Sequence, residues 1–126
     1  MEIKDSLLYT PSHEWLKKEN GSGIVGITDY AQNQLGDIVF IEMPEVGKTY
    51  AKGESFGSIE SVKAVSDLYA PVDFEVVQVN DTLSSSPELV NKDPYGQGWM
   101  LKIKIKDDSQ VNQLLKSEDY KKSISS

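Results

Sequence analysis

Lys63 sits at the centre of the stretch Gly57-Ser58-Ile59-Glu60-Ser61-Val62-Lys63-Ala64-Val65-Ser66-Asp67-Leu68-Tyr69-Ala70-Pro71, between two segments that can each extend as a strand. That pattern puts its amine at a hairpin tip. Most surface lysines are solvated and inert. A lysine nucleophile needs an ammonium pKa well below the usual ~10.4, which takes desolvation or nearby cations. The near neighbours are instead Glu60 and Asp67, which favour the charged form. Schiff-base chemistry is therefore disfavoured. An amine held in water on a fixed tip is suited to receive a group from another enzyme, and that modification turns an inert side chain into a carrier.

Ser12-His13-Glu14 contains the residue types of a hydrolytic triad. In an extended chain, consecutive side chains point to opposite faces, so the three cannot converge on one substrate. Ser12 and Glu14 would share a face. His13 is the only histidine and there is no cysteine, so a zinc site lacks its usual donors. No metal site and no catalytic residue is expected, His13 reads as a structural histidine, and any redox chemistry has to come from an attached group. Trp15 and Trp99 read as core. Gly36 and Gly98 read as stops or turns needing positive φ.

The elements that would hold these residues are mostly strands. Over residues 99–106, Trp99, Leu101, Ile103 and Ile105 alternate with Met100, Lys102, Lys104 and Lys106, a period of two with a wet lysine face. Residues 23–27, 38–43 and 75–79 are short, β-branched and bounded by turn formers. Thr28 is a good N-cap for a helix that Gly36 stops. A second helix is expected from about Ser109, with Val111, Leu114 and Leu115 on one face, packed across an open end of the strands. Ser117-Glu118-Asp119 reads as a polar interruption before Tyr120, and residues 121–126 as a disorder-prone tail. Pro87 could begin a short turn of helix.

A chain of 126 residues with 38% hydrophobic content can bury one modest core, so a single domain is expected. Its 20 acidic and 13 basic residues give a formal charge of -7, which repels polyanions. Every basic residue is lysine, so the planar fork that reads phosphate and guanine is missing. The start, Met1-Glu2-Ile3-Lys4-Asp5-Ser6, shows neither a signal nor a transit pattern. No apolar run approaches the roughly 20 residues that cross a bilayer. A cytoplasmic monomer, with neither nucleic acid nor membrane as partner, is the expectation.

The central stretch resembles the lipoyl-attachment segment of glycine cleavage H proteins, whose pattern is Glu-Ser-x-Lys-Ala followed by a Tyr/Asn-(Ala/Ser)-Pro run. Ser12-His13-Glu14-Trp15 looks like that family's N-terminal signature, Gly26-Ile27-Thr28-Asp29-Tyr30-Ala31-Gln32 like its first helix, and Leu35-Gly36-Asp37-Ile38-Val39-Phe40-Ile41-Glu42 like the strand that follows. Asn91, Pro94-Tyr95 and Gly98-Trp99-Met100 resemble the entry to its last strand. The motifs keep family order from about Tyr9 to Tyr120.

The resemblance implies a mainly β fold, a flattened barrel-sandwich of the lipoyl- and biotinyl-carrier type, with two antiparallel sheets and a few short helices. It implies one lipoyl-carrier domain over residues 1–126, its core at about 22–106 and a helical segment at about 109–123. Lipoic acid would be amide-linked to Lys63 as N6-lipoyllysine, with Glu60 and Ser61 read by the lipoate-attaching enzyme. Ser12, Glu14 and Asp67 would line a cleft for the loaded arm. The implied role is a non-catalytic shuttle, taking an aminomethyl group from glycine decarboxylase (P protein) to the aminomethyltransferase (T protein) and electrons to dihydrolipoamide dehydrogenase (L protein). The same lysine could serve as a lipoyl or octanoyl relay donor for other complexes. A biotinyl carrier fits worse, because its lysine is normally flanked by methionines and here the flanks are Val62 and Ala64. Asp73-Phe74 departs from the Ser-Gly usual in the family; a phenylalanine in the left-handed conformation of that glycine would be unfavourable by roughly 1–2 kcal/mol, so either the turn differs locally or its surroundings hold the strain.

Overall fold

Two antiparallel sheets organise residues 2–125, which the computed structural model describes. The larger runs in the order β1 (Leu8–Tyr9), β2 (Glu14–Glu19), β3 (Ser22–Ile27), β9 (Leu101–Ile105), β8 (Phe74–Val79) and β5 (Thr49–Tyr50). The smaller runs β4 (Ile38–Glu42), β6 (Ser55–Ser61) and β7 (Val65–Tyr69). This is the mainly β, two-sheet architecture with short helices that the sequence led us to expect. Along β9, Leu101, Ile103 and Ile105 are buried and Lys102 and Lys104 exposed, as the period of two requires. The alternation stops before Leu101: Met100, read as facing water, is fully buried, while Trp99, read as core, is only partly covered. Both residues precede the strand, so its period does not govern them.

The sheets enclose one core that includes Leu16, Val25, Ile41, Ile59, Leu68 and Val76. A second cluster, Leu7, Tyr9, Trp15 and Tyr120, lies apart from it. Neighbours Trp15 and Leu16 on β2 thus point into different cores. The Trp15 ring lies over its cross-strand partner Gly26, where an added Cβ would come 2.7 Å from the indole. Its Nε1–H donates to the Pro94 carbonyl at 3.1 Å.

Helix α1 (Asp29–Leu35) is capped as its sequence requires: Thr28 Oγ1 accepts from the Ala31 N–H at 3.1 Å, and Gly36, at φ 80°, ends it. Gly98 has no positive φ; its role is close approach, since a Cβ there would come 2.8 Å from the Asp93 carbonyl. Helices α2 (Thr82–Ser85) and α3 (Leu89–Lys92) bury Leu83 and Val90, the second starting two residues beyond Pro87.

The C-terminal region differs from expectation. Residues Asp108–Gln113 form a 3-10 helix that buries Val111. Leu115 then runs extended and exchanges two backbone bonds of 2.8 Å with Tyr9. The polar Ser117-Glu118-Asp119 is the first turn of α4 (Ser117–Ser125), where carboxylates suit the positive end of the helix dipole. Residues 121–125, read as a loose tail, are helical; Met1 and Ser126 lie outside the described residues. Buried Tyr120 anchors α4 on β1 by stacking on Tyr9, ring centroids 4.5 Å apart.

Phe74 is unstrained. Among the described residues, only His13 and Asn20 are non-glycine residues with positive φ. Phe74 opens β8 at 0% exposure, with its ring 5.7 Å from Tyr50 and 5.8 Å from Phe56. The corner before it is rebuilt around Asp73, whose N–H donates to Gln110 Oε1 at 2.6 Å and whose carboxylate accepts the Lys52 N–H at 2.7 Å. Phe74→Gly should therefore cost about 3–5 kcal/mol in a urea melt, the range for deleting a fully buried aromatic ring. A loss under about 1 kcal/mol would contradict this packing.

Candidate functional site

Lys63 lies in the turn between β6 and β7, with its side chain exposed. The Ser61 N–H donates to the Ala64 carbonyl at 2.8 Å, closing the turn. Ser61 itself is buried, and its Oγ accepts from the N–H groups of Lys63 at 3.3 Å and Ala64 at 3.1 Å. The tip is fixed to the body of the protein by the Val62 N–H, which donates to the Asp37 carbonyl at 3.0 Å. Asn91 holds that neighbouring stretch: its Oδ1 accepts from the Ile38 N–H and its Nδ2 donates to the Gly36 carbonyl, both at 2.9 Å. Gly36 faces the Lys63 stem, whose Cε would lie 3.4 Å from a Cβ added there.

The ion pairs of the described residues are Lys4–Glu2 and Lys18–Asp108, so neither Glu60 nor Asp67 pairs with the Lys63 ammonium. Glu60 lies on the exposed face of the small sheet, between Phe40 and Val65 in register. Val62 and Val65, each 70% exposed, flank the amine with apolar surface.

Ser12 and Glu14 do come together, by a turn and not by an extended strand. The His13 N–H donates to the Thr10 carbonyl at 3.1 Å, and His13 itself is left-handed at φ 75°. Such a conformation costs a non-glycine residue about 1–2 kcal/mol. In this turn Thr10 Oγ1 and Ser12 Oγ both reach Glu14 Oε1, each at 2.6 Å. Glu14 Oε2 accepts the Tyr69 N–H at 3.3 Å. Glu14, on β2, therefore links the large sheet to β7 of the small one. It is only 2% exposed, and burial raises its carboxyl above the usual range, against the Ser12 and Thr10 hydroxyls that pull it down.

Asp67 stays exposed on β7, its Oδ2 3.5 Å from the Tyr69 hydroxyl, at the limit of a hydrogen bond. Tyr69 thus touches both carboxylates, through its amide and its hydroxyl. A groove of about 270 Å³ opens beside Tyr69, lined by Thr10, Ser12, Lys52, Tyr69, Pro71 and Leu114 among others; Ser12 lines it, and Glu14 and Asp67 do not. No triad forms: the His13 ring turns away from Ser12 and Glu14, its Nδ1 3.0 Å from the Tyr120 hydroxyl and its ring 4.8 Å from Tyr30. His13 is a structural histidine, and burial lowers its pKa. Among the described residues no cluster of His, Cys, Asp and Glu suits a metal ion, and no helix is long and apolar enough to cross a membrane.

Thr10, Tyr69 and Tyr120 were not singled out from the sequence. Each acts across 55 or more residues of chain or through a local turn, and neither leaves a periodic signal. The one available hint was Thr10-x-Ser12-x-Glu14, two hydroxyls preceding a carboxylate at short spacing.

The chain as a whole is similar to known proteins. The family model for "Glycine cleavage H-protein" matches residues 7–126. A glycine cleavage system H protein of Listeria innocua is 58% identical over 124 residues, covering 98% of this chain and 99% of the relative. One from Carboxydothermus hydrogenoformans is 54% identical over 120 residues, covering 95% of this chain and 92% of the relative. The crystal structure of a glycine cleavage system H protein from Mycobacterium marinum superposes with a TM-score of 0.91 at 38% identity, covering 98% of this chain and all of that one. With the family model matching residues 7–126 and these relatives covering nearly the whole chain, the chain belongs to the glycine cleavage H-protein family.

Proposed function

We propose that this chain is, as one domain, the lipoyl shuttle of a glycine cleavage system, with Lys63 as its attachment lysine and no catalytic residue of its own. The observation that carries this reading is the Lys63 amine, free of ion pairs and held in water on a tip whose peptide groups are closed by Ser61. The site fits lipoic acid: amide formation consumes a primary amine and places a neutral arm between the exposed Val62 and Val65. Bound there, lipoic acid would supply a dithiolane disulfide that is reduced as one of its sulfurs takes up the aminomethyl group of glycine and, once that group has left, a dithiol that delivers electrons on reoxidation. Glu60 and the turn held by Ser61 are what a lipoate-attaching enzyme would read. The P, T and L proteins would each engage the same tip in turn, and transient contacts of that kind suit the chain's net negative surface.

Ser12, Glu14 and Asp67 serve in this reading as the resting place of the loaded arm. Tyr69 stands at the end of β7 away from Lys63; the strand itself, from Val65 to Tyr69, is about 13 Å long at its usual rise, comparable with an extended lipoyl-lysine side chain. Glu14 Oε1 is taken by two hydroxyls, so Oε2, with only a long amide contact, is the oxygen left to receive the ammonium of the cargo. Asp67 adds a second negative charge from the solvent side, and the groove lined by Tyr69 and Leu114 gives the methylenes apolar cover. Holding the cargo there keeps water from the carbon between sulfur and nitrogen, where attack would release formaldehyde and ammonia and return the thiol.

Two outcomes test this function. Lys63→Arg should fold, stay unlipoylated and abolish glycine-dependent NADH formation with the P, T and L proteins; NADH formation at the wild-type rate would refute the carrier role. Glu14→Ala and Asp67→Ala should leave lipoylation intact. Once glycine and P protein have loaded the arm and the enzyme is removed, Glu14→Ala should speed formaldehyde release about tenfold or more, the scale of one charge-assisted hydrogen bond, and Asp67→Ala should speed it less. Release at the wild-type rate from both variants would sink the cleft and leave Lys63 untouched.

A further inference from the structure

We propose that Tyr120 on α4 is a positioning residue for the arm cleft, its hydroxyl locking His13 and thereby the 10–14 turn that aims the Glu14 carboxylate at β7. The proposal rests on the arm-cleft reading above. Packing alone does not call for a tyrosine at this position. The ring is fully buried, stacked on Tyr9 at 4.5 Å and an interplanar angle of 7°, beside Leu7 and Trp15, surroundings that phenylalanine would fill equally. A buried hydroxyl is costly unless bonded. Here it meets Thr28 Oγ1 at 2.6 Å and His13 Nδ1 at 3.0 Å. Burial pushes its pKa up to about 12, so the proton stays available to these partners.

Both partners belong to the frame of the turn. Thr28 caps α1, and its N–H donates to the His13 carbonyl at 3.0 Å. His13 is the left-handed residue on which the turn depends, and its ring is wedged between Tyr120 at 5.7 Å and Tyr30 at 4.8 Å. Its backbone therefore cannot relax without breaking the Tyr120 bond or displacing a packed ring. A relaxed His13 would extend the chain and leave Ser12 and Glu14 on one face but about 7 Å apart along it, breaking the 2.6 Å bond between them. Glu14 Oε1 would then lose one of its two hydroxyl donors, and the whole carboxylate its fixed direction. Tyr120 lines neither the groove nor the tip; it acts through His13 and Thr28.

Tyr120→Phe keeps the aromatic stack and removes only the hydroxyl. In the unlipoylated variant, amide hydrogen exchange at Glu14 and Tyr69 should quicken while exchange in β8 and β9 does not. In the loaded protein, freed of P protein, formaldehyde release should quicken by a factor of about two to ten, the scale of one neutral hydrogen bond. No further increase should appear in a Glu14→Ala background, since the hydroxyl acts through that carboxylate. His13→Ala should behave like Tyr120→Phe, and His13→Asn, which tolerates positive φ and keeps a polar atom near the ring position, should restore slow release. Wild-type exchange and release in Tyr120→Phe, with Glu14→Ala still fast, would overturn the positioning role and leave the cleft standing. Equal acceleration by Tyr120→Phe in the Glu14→Ala background would also overturn it, marking the hydroxyl as merely structural. Wild-type release from Glu14→Ala itself would remove the part of Glu14 in the cleft and this role with it.

Discussion

A turn that offers its lysine to solvent must satisfy its own peptide groups without that lysine, and here the Ser61 hydroxyl does so. It accepts two N–H groups and faces inward, so the polar needs of the tip are met on the protein side. The aqueous side is left to Lys63, Val62 and Val65. This closure would matter little on a loose hairpin. It is made rigid by the Val62 bond to Asp37 and by Asn91, which ties the 36–38 stretch to α3. The register of β6 with β4 and β7 then passes the rigidity of the small sheet to the amine.

The second constraint is a buried carboxylate. Glu14 cannot sit at 2% exposure as an anion unless it is bonded, and its acceptors meet Thr10, Ser12 and the Tyr69 amide. Those bonds join the two sheets at one end of β7. The cost is a left-handed His13, and the compensation comes from aromatic packing against Tyr30 and Tyr120. A strained backbone beside a buried carboxyl whose pKa burial raises, near an apolar groove, is a combination more often met at working sites than in scaffolding.

What could be read in the sequence followed from how many faces each element covers. On β9, one face is core and the other is wet, so Leu101, Ile103 and Ile105 declared themselves against Lys102 and Lys104. Thr28 and Gly36 act locally and were legible for that reason. On β2, Trp15 and Leu16 serve two different cores, and the period of two disappears there. Helix α4 is mostly polar and is held by Tyr120 against a distant β1, so local composition suggested interruption and disorder where a tertiary contact makes a helix. At the site, Lys63 stood out because a hairpin tip is local. The joining of Ser12 with Glu14 was foreseen, but for a geometric reason the structure replaces, since the His13 turn and not strand alternation brings them together. Phe74 was the converse case: the missing glycine left open either strain or a locally different turn, and the structure has the different turn, held at Asp73 by Gln110.

The central claim is that the fold singles out one amine among 13 lysines. Peptide mass mapping after incubation with lipoate, ATP and a lipoate-attaching enzyme tests it most directly. The account predicts a single lipoyl group, on the peptide containing Lys63. A comparable label on Lys48, Lys92 or any other exposed lysine would contradict it, because attachment would then follow exposure alone and not the geometry of the tip.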